Sequence, residues 1–242
     1  MGVALGARQN AAIAGRHLAE RRMEAIAVKP SMRGAATREA LLNAAESLIA
    51  DHGFRTPSHR MIAGEANTHV ALVNYHFSSK GMLFEAAIER RASRLVNIWR
   101  AALSDVCARE ARKVEDILRA WWQPFGDVDV ELDRPWSNYL CVIARLASAP
   151  DGEAWHQRYF GSIDRDFQLA LADVLPATHR DDVEAGFRYA RSLFGEVLLY
   201  RCGKVGGTTR PRGFREDDID RMIGYVASGM RGLSRSVAVA AD

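Results

Sequence analysis

The segment SHRMIAGEANTHVALVNYHFSSK, residues 58–80, carries side chains that could bind nucleic acid. An arginine such as Arg60 can donate two hydrogen bonds to guanine, and an asparagine such as Asn74 can pair with adenine. Lys80 could bind phosphate, because the start of a helix carries partial positive charge and free N–H groups. Each base contact has a plainer alternative: Arg60 as a surface residue or phosphate contact, and Asn74 as a side chain that caps or braces its helix.

Two short helices are predicted to position these side chains. The first covers residues 58–66, because Ile62, Ala63 and Ala66 recur at helical spacing on one side. Ser58 can cap this helix by accepting a hydrogen bond from an otherwise unpaired backbone N–H group. We therefore expect a helix that begins at a polar cap and buries one apolar side.

A tight turn at residues 67–68 is predicted to separate the two helices, since Asn67 tolerates the left-handed conformation that such turns need. The second helix covers residues 69–76 and would bury Val73 and Phe77. A helix this short is not stable alone, so its neighbours must hold it in place. Two short helices in this arrangement are typical of a helix-turn-helix, whose second helix enters the major groove of DNA.

Three parts of this region also carry a family resemblance: residues 53–54 (GF), 62–63 (IA) and 73–80 (VNYHFSSK). They resemble the N-terminal domain of the tetracycline-repressor (TetR) family of bacterial regulators. The most specific feature is the aromatic-His-Phe sequence followed by two small polar residues and Lys. The resemblance covers about residues 37–88. Beyond it, only the general shape of a larger all-helical domain is similar.

The resemblance implies a role for each residue of the motif. Arg60 would reach a base, while residues 75–76 and Lys80 would contact phosphates, which set register and affinity without reading sequence. Residues 70–72 are apolar and would face the bases, where contact with thymine methyl groups replaces hydrogen bonding. The expected DNA-binding residues are Ser58, Arg60, His69, Val70, Ala71, Leu72, Asn74, Tyr75, His76 and Lys80.

The motif departs from the family pattern at three places. His69 stands where the family usually has a small capping hydroxyl, and His59 replaces a residue that is more often aliphatic. Residues 67–68 are Asn-Thr instead of the commoner Gly-Val. These differences put the exact operator sequence in question more than DNA binding itself.

Charge divides the chain unevenly. Residues 1–113 carry 17 Lys and Arg against 10 Asp and Glu, whereas residues 114–242 carry 16 against 20. A basic N-terminal half suits DNA binding at that end. However, residues 1–36 contribute six basic and two acidic residues, and residues 37–80 balance at four against four. Charge therefore supports the motif without establishing it.

Three parts of the chain can be separated by composition. We expect a flexible basic arm at 1–36, a helix-turn-helix domain at 37–82 and a helical ligand-binding and dimerisation domain at 83–238. The arm is rich in Ala, Gly and Arg and has little that could form a core. A start codon placed too far upstream is an alternative explanation of the arm.

Helical periodicity with short breaks runs through the chain, and the absence of an alternating strand pattern predicts an all-α fold. Gly53 stands where a helix would end in a left-handed residue. Outside the helix-turn-helix, the predicted helices cover residues 37–52, 78–107, 114–125, 136–147, 153–175, 181–201 and 216–237, with an acidic loop at 127–133 and a Gly-rich basic loop at 203–213.

Aromatic residues are dense in the C-terminal domain. They could simply form a helical core, or some could line an apolar ligand cavity, as helix bundles often provide. The family resemblance implies a small-molecule ligand in this domain. The candidate lining residues are Trp121, Trp122, Phe125, Trp136, Tyr139, Trp155 and Tyr159.

The last two long helices have apolar stripes wider than one core-facing side requires. Gly195 and Gly229 would allow close helix approach. Both features favour a two-fold dimer built as a four-helix bundle, which the resemblance also implies. The candidate interface residues are Leu193, Val197, Tyr200, Ile223, Val226 and Met230.

The sequence shows no catalytic constellation. It has no nucleophile elbow, and the loop at 203–213 does not match the phosphate-binding pattern Gly-x4-Gly-Lys-Ser/Thr. Its histidines lack the spacing of a metal site. Three scattered cysteines favour reduced thiols in a bacterial cytoplasm, and no apolar run is long enough to span a bilayer. We therefore expect a soluble, nucleoid-associated protein that is not an enzyme and has no cofactor or metal.

These observations favour a ligand-responsive transcriptional regulator. It would be a repressor that binds a near-palindromic operator as a homodimer and is released by an apolar small molecule. The alternatives are a ligand-independent activator of the same fold, and a helical scaffold or enzyme.

Overall fold

The computed structural model describes residues 32–126, 133–201 and 216–239, and all regular structure in these ranges is helical. The chain divides into two compact units, residues 1–39 and 40–242. In order, the helices are α1 (Met32–His52), α2 (His59–Glu65), α3 (Val70–His76), α4 (Lys80–Cys107), α5 (Val114–Gly126), α6 (Arg134–Ala144), a 3-10 turn (Leu146–Ser148), α7 (Gly152–Val174), α8 (Arg180–Arg201) and α9 (Glu216–Val239). The predicted all-α fold is confirmed.

Helix α1 begins earlier than the sequence predicted. It starts at Met32 instead of Thr37, so residues 32–36, which were expected to belong to the arm, are helical. Thr37 lies inside the helix, where its hydroxyl donates to the Arg33 carbonyl oxygen over 2.9 Å. Two alanines precede Thr37, and alanine is the strongest helix former, which explains the longer helix. The rest of the expected arm, residues 1–31, lies outside the described residues.

The end of α1 has the predicted left-handed glycine. Gly53 has φ +74°, and its N–H donates to the Ile49 carbonyl oxygen over 2.8 Å. Phe54 then turns back into the core, where its ring centroid lies 5.6 Å from Phe84 and 5.8 Å from Trp155. The apolar stripe of α1 is buried, and it comprises Leu41, Leu42, Ala45, Leu48 and Ile49.

Aromatic side chains form the centre of the larger domain. Trp99 of α4 is fully buried, stacks on Trp121 at 5.3 Å between ring centroids, and donates its indole N–H to the Trp121 carbonyl oxygen over 2.7 Å. Tyr139 donates its hydroxyl to the Ile88 carbonyl oxygen over 2.8 Å, and burial raises the pKa of Tyr139 well above its usual value. The rings packed around Trp99 and Trp121 are Phe125, Phe160, Phe187 and Phe194.

The helix predicted over residues 136–147 is divided in the structure. Helix α6 ends at Ala144, and a 3-10 turn follows before α7 begins at Gly152. A Cβ atom at Gly152 would lie 1.7 Å from the Leu146 carbonyl oxygen, far inside a van der Waals contact. The glycine thus permits α7 to start directly against the turn. The predicted helices 136–147 and 153–175 left a break between them, but the sequence did not show this close backbone approach.

Most of the two predicted loops, 127–133 and 203–213, lies outside the described residues. Asp133 is the exception, and its carboxylate caps α6 by accepting from the Trp136 N–H over 3.1 Å. Cys107 and Cys141 are free thiols, whereas Cys202 falls in an undescribed range. Within the described ranges, no helix has the length and apolar character needed to cross a membrane.

Candidate DNA interface and ligand cavity

The first helix of the motif is fixed by its cap and by two buried residues. Ser58 Oγ accepts from the Met61 N–H over 3.2 Å, as the sequence predicted. Ile62 and Ala63 are 0% and 2% exposed and attach α2 to the core. Arg60 lies on the opposite, exposed side of the helix, where it can reach a partner.

The turn between α2 and α3 has the conformation that the sequence indicated. Asn67 has φ +49°, which is the only positive φ of a non-glycine residue in the described ranges. The Thr68 N–H donates to the Ala63 carbonyl oxygen over 2.8 Å and closes the end of α2. A left-handed residue at this point sets the direction in which α3 leaves the turn.

Helix α3 is held by one side and exposed on the other. Val73 is fully buried and Phe77, directly after the helix, is 4% exposed, whereas Tyr75 is 81% exposed. Val70, Ala71 and Asn74 are also exposed, and Leu72 and His76 are half-buried. Leu72, which was expected to face the bases, is therefore less available than its two neighbours. His69 precedes the helix without a side-chain capping bond, in keeping with its departure from the family pattern.

The start of α4 places a half-buried lysine beside the helix-turn-helix. Ser79 caps this helix by accepting from the Met82 N–H over 3.2 Å. Lys80 is the first helical residue, and its ammonium lies 3.4 Å from the Arg55 carbonyl oxygen and 5.6 Å from the centre of the Phe84 ring. These contacts keep the Lys80 charge beside the helix-turn-helix, at a helix N-terminus that favours anions.

A buried carboxylate attaches α1 to α4. Glu46 is 1% exposed and accepts from Arg90 Nε over 2.7 Å and from Arg91 Nε over 3.4 Å. Burial raises the pKa of Glu46, while the two guanidinium groups act in the opposite direction. These ion pairs were not predicted from the sequence, although a glutamate between Ala45 and Leu48, inside an apolar stripe, was a signal for a buried partner.

A second attachment links α1 to the end of α6. Arg145 Nε donates to the Ala50 carbonyl oxygen over 3.1 Å, and Arg145 Nη2 donates to the Asp51 carbonyl oxygen over 3.5 Å. These carbonyls belong to the last turn of α1, where backbone acceptors lack helical partners. A positive charge near a helix C-terminus is also favourable. No sequence signal connects these groups, since they lie 94 and 95 residues apart.

A cavity lies between α5, α6, α7 and α8, beside Arg145. Its enclosed space measures about 60 Å³, and the whole cleft measures about 540 Å³ when the part open to solvent is included. The apolar wall includes Trp121, Phe125, Ile143 and Leu146. The polar part of the lining comprises Glu153, His156, Arg191 and Ser192. The cavity therefore joins aromatic surface to charged groups.

Two of the seven aromatic residues proposed for a ligand pocket, Trp121 and Phe125, line this cavity. The others pack elsewhere. The ring centroids of Trp122 and Phe194 lie 5.5 Å apart. Trp136 stacks on Tyr139 with 5.4 Å between ring centroids, and the Arg94 guanidinium lies 4.1 Å from the centre of the Trp136 ring.

The last two of the seven contact Phe54, which follows α1, and Glu85 of α4. Trp155 packs on Phe54, and the Tyr159 hydroxyl donates to Glu85 over 3.2 Å. Periodicity identified these aromatic residues as buried, but it did not show which ones border a void.

The charged part of the cavity belongs to a buried cluster that the sequence analysis missed. His156 and Asp164 are 5% and 4% exposed, and His156 Nε2 lies 2.7 Å from Asp164 Oδ2. Arg191 Nη1 donates to the same oxygen over 2.7 Å. The residues come from α7 and α8, so their sequence spacing gave no indication of a cluster. Asp164 Oδ1 is buried without a hydrogen-bond partner in the described ranges.

The candidate dimer residues fall into two groups. Ile223, Val226 and Met230 are 0%, 8% and 2% exposed, because they pack in the hydrophobic core of this chain. By contrast, Leu193 and Val197 are half-buried and Tyr200 is 39% exposed.

The two glycines expected to allow close helix approach also differ. A Cβ at Gly195 would lie 3.3 Å from the Ala144 carbonyl oxygen, so its close approach is to α6 of the same chain, while Gly229 faces open space. Among the described side chains of α8 and α9, the large exposed hydrophobic ones are Tyr189, Tyr200 and Tyr225. Of these three tyrosines, Tyr200 is one of the residues predicted for the interface.

The described histidines of the N-terminal region do not come together as a metal site. Across residues 32–126, 133–201 and 216–239, no group of three His, Cys, Asp or Glu side chains could hold a metal ion.

The fold and the exposed α3 define the class of this protein as a helix-turn-helix protein with a larger helical domain. Residues 41–87 match the family model described as bacterial regulatory proteins, tetR family. This match confirms the resemblance to TetR-family transcriptional regulators that the sequence motif indicated. Among curated proteins, no sequence matches the chain.

Solved structures of bacterial regulators share the fold. A transcriptional regulator from Pseudomonas aeruginosa PAO1 aligns with a TM-score of 0.51 and 20% identity, over 86% of this chain and 95% of that chain. A TetR family regulator from Marinobacter aquaeolei VT8 gives 0.51 and 18%, over 81% and 96%. A TetR transcriptional regulator from Legionella pneumophila gives 0.51 and 18%, over 79% and 95%. At these identities the likeness concerns the fold alone.

Proposed function

We propose that the protein is a homodimeric transcriptional repressor that binds a near-palindromic operator and is released by a small molecule. The observation that carries this proposal is the exposed face of α3. Tyr75 is 81% exposed while Val73 on the opposite side is fully buried. The core therefore holds one side of this short helix, which would not be stable alone, and leaves its other side facing outward. Such a helix, preceded by a capped partner helix, suits the major groove.

Contacts around α3 would divide between bases and phosphates. Arg60 and Asn74 are exposed and can donate to base edges, and the exposed Val70 and Ala71 can contact thymine methyl groups. Lys80, at the start of α4, would bind phosphate together with the free N–H groups of that helix. Binding should therefore weaken steeply with salt, because each phosphate contact releases counterions.

The proposed dimer would use the outward surface of α8 and α9. Tyr189 and Tyr225 are 62% and 76% exposed, on α8 and α9 respectively, and Tyr200 lies on α8 with Tyr189. Tyrosine is enriched in protein interfaces because it contributes a large apolar surface and a polar end. Two copies related by a two-fold axis would present two α3 helices to half-sites about one DNA turn, or a multiple of it, apart.

The proposed response to ligand would pass through Arg145. Ile143, Ala144 and Leu146 line the cavity, and Arg145 lies between them and donates to the last turn of α1. A ligand that moves this segment would therefore move α1, whose apolar residues belong to the same hydrophobic core as Ile62 of α2 and Val73 of α3. A coupling free energy of about 1–3 kcal/mol between ligand binding and operator binding would reduce operator affinity about 5- to 150-fold.

The proposal is tested first by a gel shift on the DNA just upstream of the coding region, titrated with salt. We expect saturable, sequence-specific binding at nanomolar protein that weakens steeply as salt rises. Weak binding that is equal on unrelated DNA, both there and on selected sequences, would contradict it. A regulator that acts in this way would work in the bacterial cytoplasm, at the nucleoid.

A ligand-independent regulator of the same fold is the second candidate, and the size of the enclosed cavity favours it. Sites for drug-sized ligands measure roughly 300–1,000 Å³, whereas the enclosed space here is about 60 Å³. Melting temperature distinguishes the two candidates, because a ligand that binds only the native state must raise it. A chain that no small molecule stabilises, yet binds operator, would favour the second candidate.

A further inference from the structure

The DNA-binding region has little fixed positive charge. Residues 41–87, which match the regulator family model, carry three Lys and Arg against four Asp and Glu. This balance is unusual for a surface that binds DNA, because such surfaces gain affinity by neutralising phosphates with positive side chains. The same residues hold four of the seven histidines of the chain. Histidine ordinarily changes its charge between pH 5 and 8, so the charge of this region depends on pH.

Two of the four histidines lie on the surface that the proposed function assigns to DNA. His69 is exposed and directly precedes α3, and His76 is the half-buried last residue of α3. Neither imidazole makes a hydrogen bond or an ion pair within residues 32–126, 133–201 and 216–239. The first residues of a recognition helix are those that approach DNA most closely. Both imidazoles are therefore available to a phosphate.

The other two histidines are placed differently. His52 is exposed at the end of α1, beside the two carbonyls that bind Arg145. His59 is the half-buried first residue of α2, and its Nε2 atom is buried. A phosphate therefore has less access to His59 than to His69.

The charged groups near α3 decide which anion a protonated imidazole can meet. Three helices, α1, α2 and α4, share the hydrophobic core with α3. Their acidic residues within 41–87 are Glu46, Asp51, Glu65 and Glu85. None of these four pairs with His69 or His76 in the described part of the chain, and Glu46 and Glu85 already pair with arginines. The remaining ionisable groups of these residues are His52, Arg55, His59, Arg60, Tyr75 and Lys80. The protein thus supplies no paired anion to either imidazole, and a DNA phosphate can take that place.

We propose that His69 and His76 bind DNA phosphates as protonated imidazoles, so that operator affinity falls as the pH rises from about 6 to about 8. The inference rests on the proposed function, because it concerns the regulation of the same DNA surface. A phosphate stabilises the charged imidazole and not the neutral one, so DNA binding takes up protons. The contribution of each histidine is present at about pH 6 and is lost as the pH rises.

The test measures the operator Kd of the full chain by fluorescence anisotropy at about pH 6 and about pH 8, at constant ionic strength. The probe is the DNA upstream of the coding region, or the sequence that a random library yields. We expect the Kd to be about tenfold lower at pH 6. The slope of log affinity against log salt should also be steeper at pH 6, by about one to two units per protomer, because each charged imidazole releases about one counterion. A thermal melt at each pH checks that the chain is folded.

Variants at the two positions locate the effect. His69→Ser introduces the small hydroxyl that is usual in the family at this place, and His76→Gln keeps a planar polar side chain. The double variant should bind at both pH values with about the affinity that the unmodified chain has at pH 8. By contrast, His69→Lys is charged at both pH values and should bind about threefold more tightly than the unmodified chain at pH 8.

His179→Gln is the matched control. The His179 side chain is 68% exposed and lies outside residues 41–87, next to Asp181. This variant removes an exposed histidine without altering the DNA surface, so it should keep the full pH dependence of operator binding.

A pH effect that the double variant loses and His179→Gln keeps would support the proposal. It would be overturned by equal affinity at both pH values, by a pH effect that the double variant retains in full, or by His69→Lys binding no more tightly at pH 8. Specific DNA binding that does not depend on pH removes this inference alone. Absence of specific DNA binding at either pH removes the proposed function together with it.

Discussion

Replacement of Arg145 by glutamine should loosen the end of α1 while leaving the core of the larger domain intact. The substitution removes the charged donor to the Ala50 carbonyl oxygen at 3.1 Å and the weaker contact to the Asp51 carbonyl oxygen at 3.5 Å. A hydrogen bond from a charged group contributes about 1.5–3 kcal/mol. Arg145 is half-buried, so solvent screening reduces this to about 1–2 kcal/mol.

Hydrogen exchange reports this loss at the place where it occurs. The Gly53 N–H donates to the Ile49 carbonyl oxygen and depends on an intact last turn of α1. A loss of about 1–2 kcal/mol in local stability should make exchange at residues 49–53 about 5- to 30-fold faster. Exchange in the middle of α4 should change little, because the two hydrogen bonds that the substitution removes both go to the last turn of α1.

Arg119→Gln is the matched control for Arg145→Gln. Arg119 pairs with Asp220 at 2.6 Å, but both side chains are 54% exposed, and a surface pair of this kind contributes at most about 1 kcal/mol. Exchange at residues 49–53 should be unchanged in this control. Equal exchange in both variants, or an increase spread evenly over the chain, would refute the role assigned to Arg145.

Further substitutions test the DNA surface, the turn before α7 and the dimer. Lys80→Ala should weaken binding to all DNA sequences and reduce the slope of log affinity against log salt by about one unit per protomer. Arg60→Ala should cost about 1–3 kcal/mol of binding free energy and relax specificity at one position. Competition gel shifts that find both variants equal to the unmodified protein would reject these roles. Gly152→Ala forces a Cβ to within 1.7 Å of a backbone oxygen, and a thermal melt should show a loss of more than about 3 kcal/mol in the free energy of unfolding. The control Gly64→Ala has open space around the new Cβ and should be neutral or stabilising by about 0.5–1 kcal/mol. Tyr225→Glu should raise the dimer dissociation constant about 30-fold in sedimentation, and an unchanged constant would exclude the proposed surface.

The helix-turn-helix could be predicted from the sequence because the features that define it depend on neighbouring residues alone. The cap at Ser58, the left-handed residues at Asn67 and Gly53, and the burial of Val73 all follow from residue type and helical spacing. Local chemistry determines these features before any tertiary contact forms. The same reasoning placed the helix boundaries to within a few residues, except where adjacent alanines extended α1.

The cavity and the attachment of α1 could not be predicted in the same way. Arg145 and Ala50 lie 95 residues apart, and Arg191 meets Asp164 from a different helix. Hydrophobic periodicity shows that an aromatic residue is buried, but it does not show whether its neighbours fill the surrounding space. Glu46 is the instructive case, because a charged residue inside an apolar stripe requires a partner whose identity only the fold supplies.

Selection from a random-sequence DNA library with the purified full chain would show whether the exposed face of α3 reads DNA. We expect enrichment of a near-palindromic site with half-sites about one helical turn, or a multiple of it, apart, and loss of one base preference in Arg60→Ala. A library that shows no enrichment after repeated rounds at low salt would contradict this role of α3.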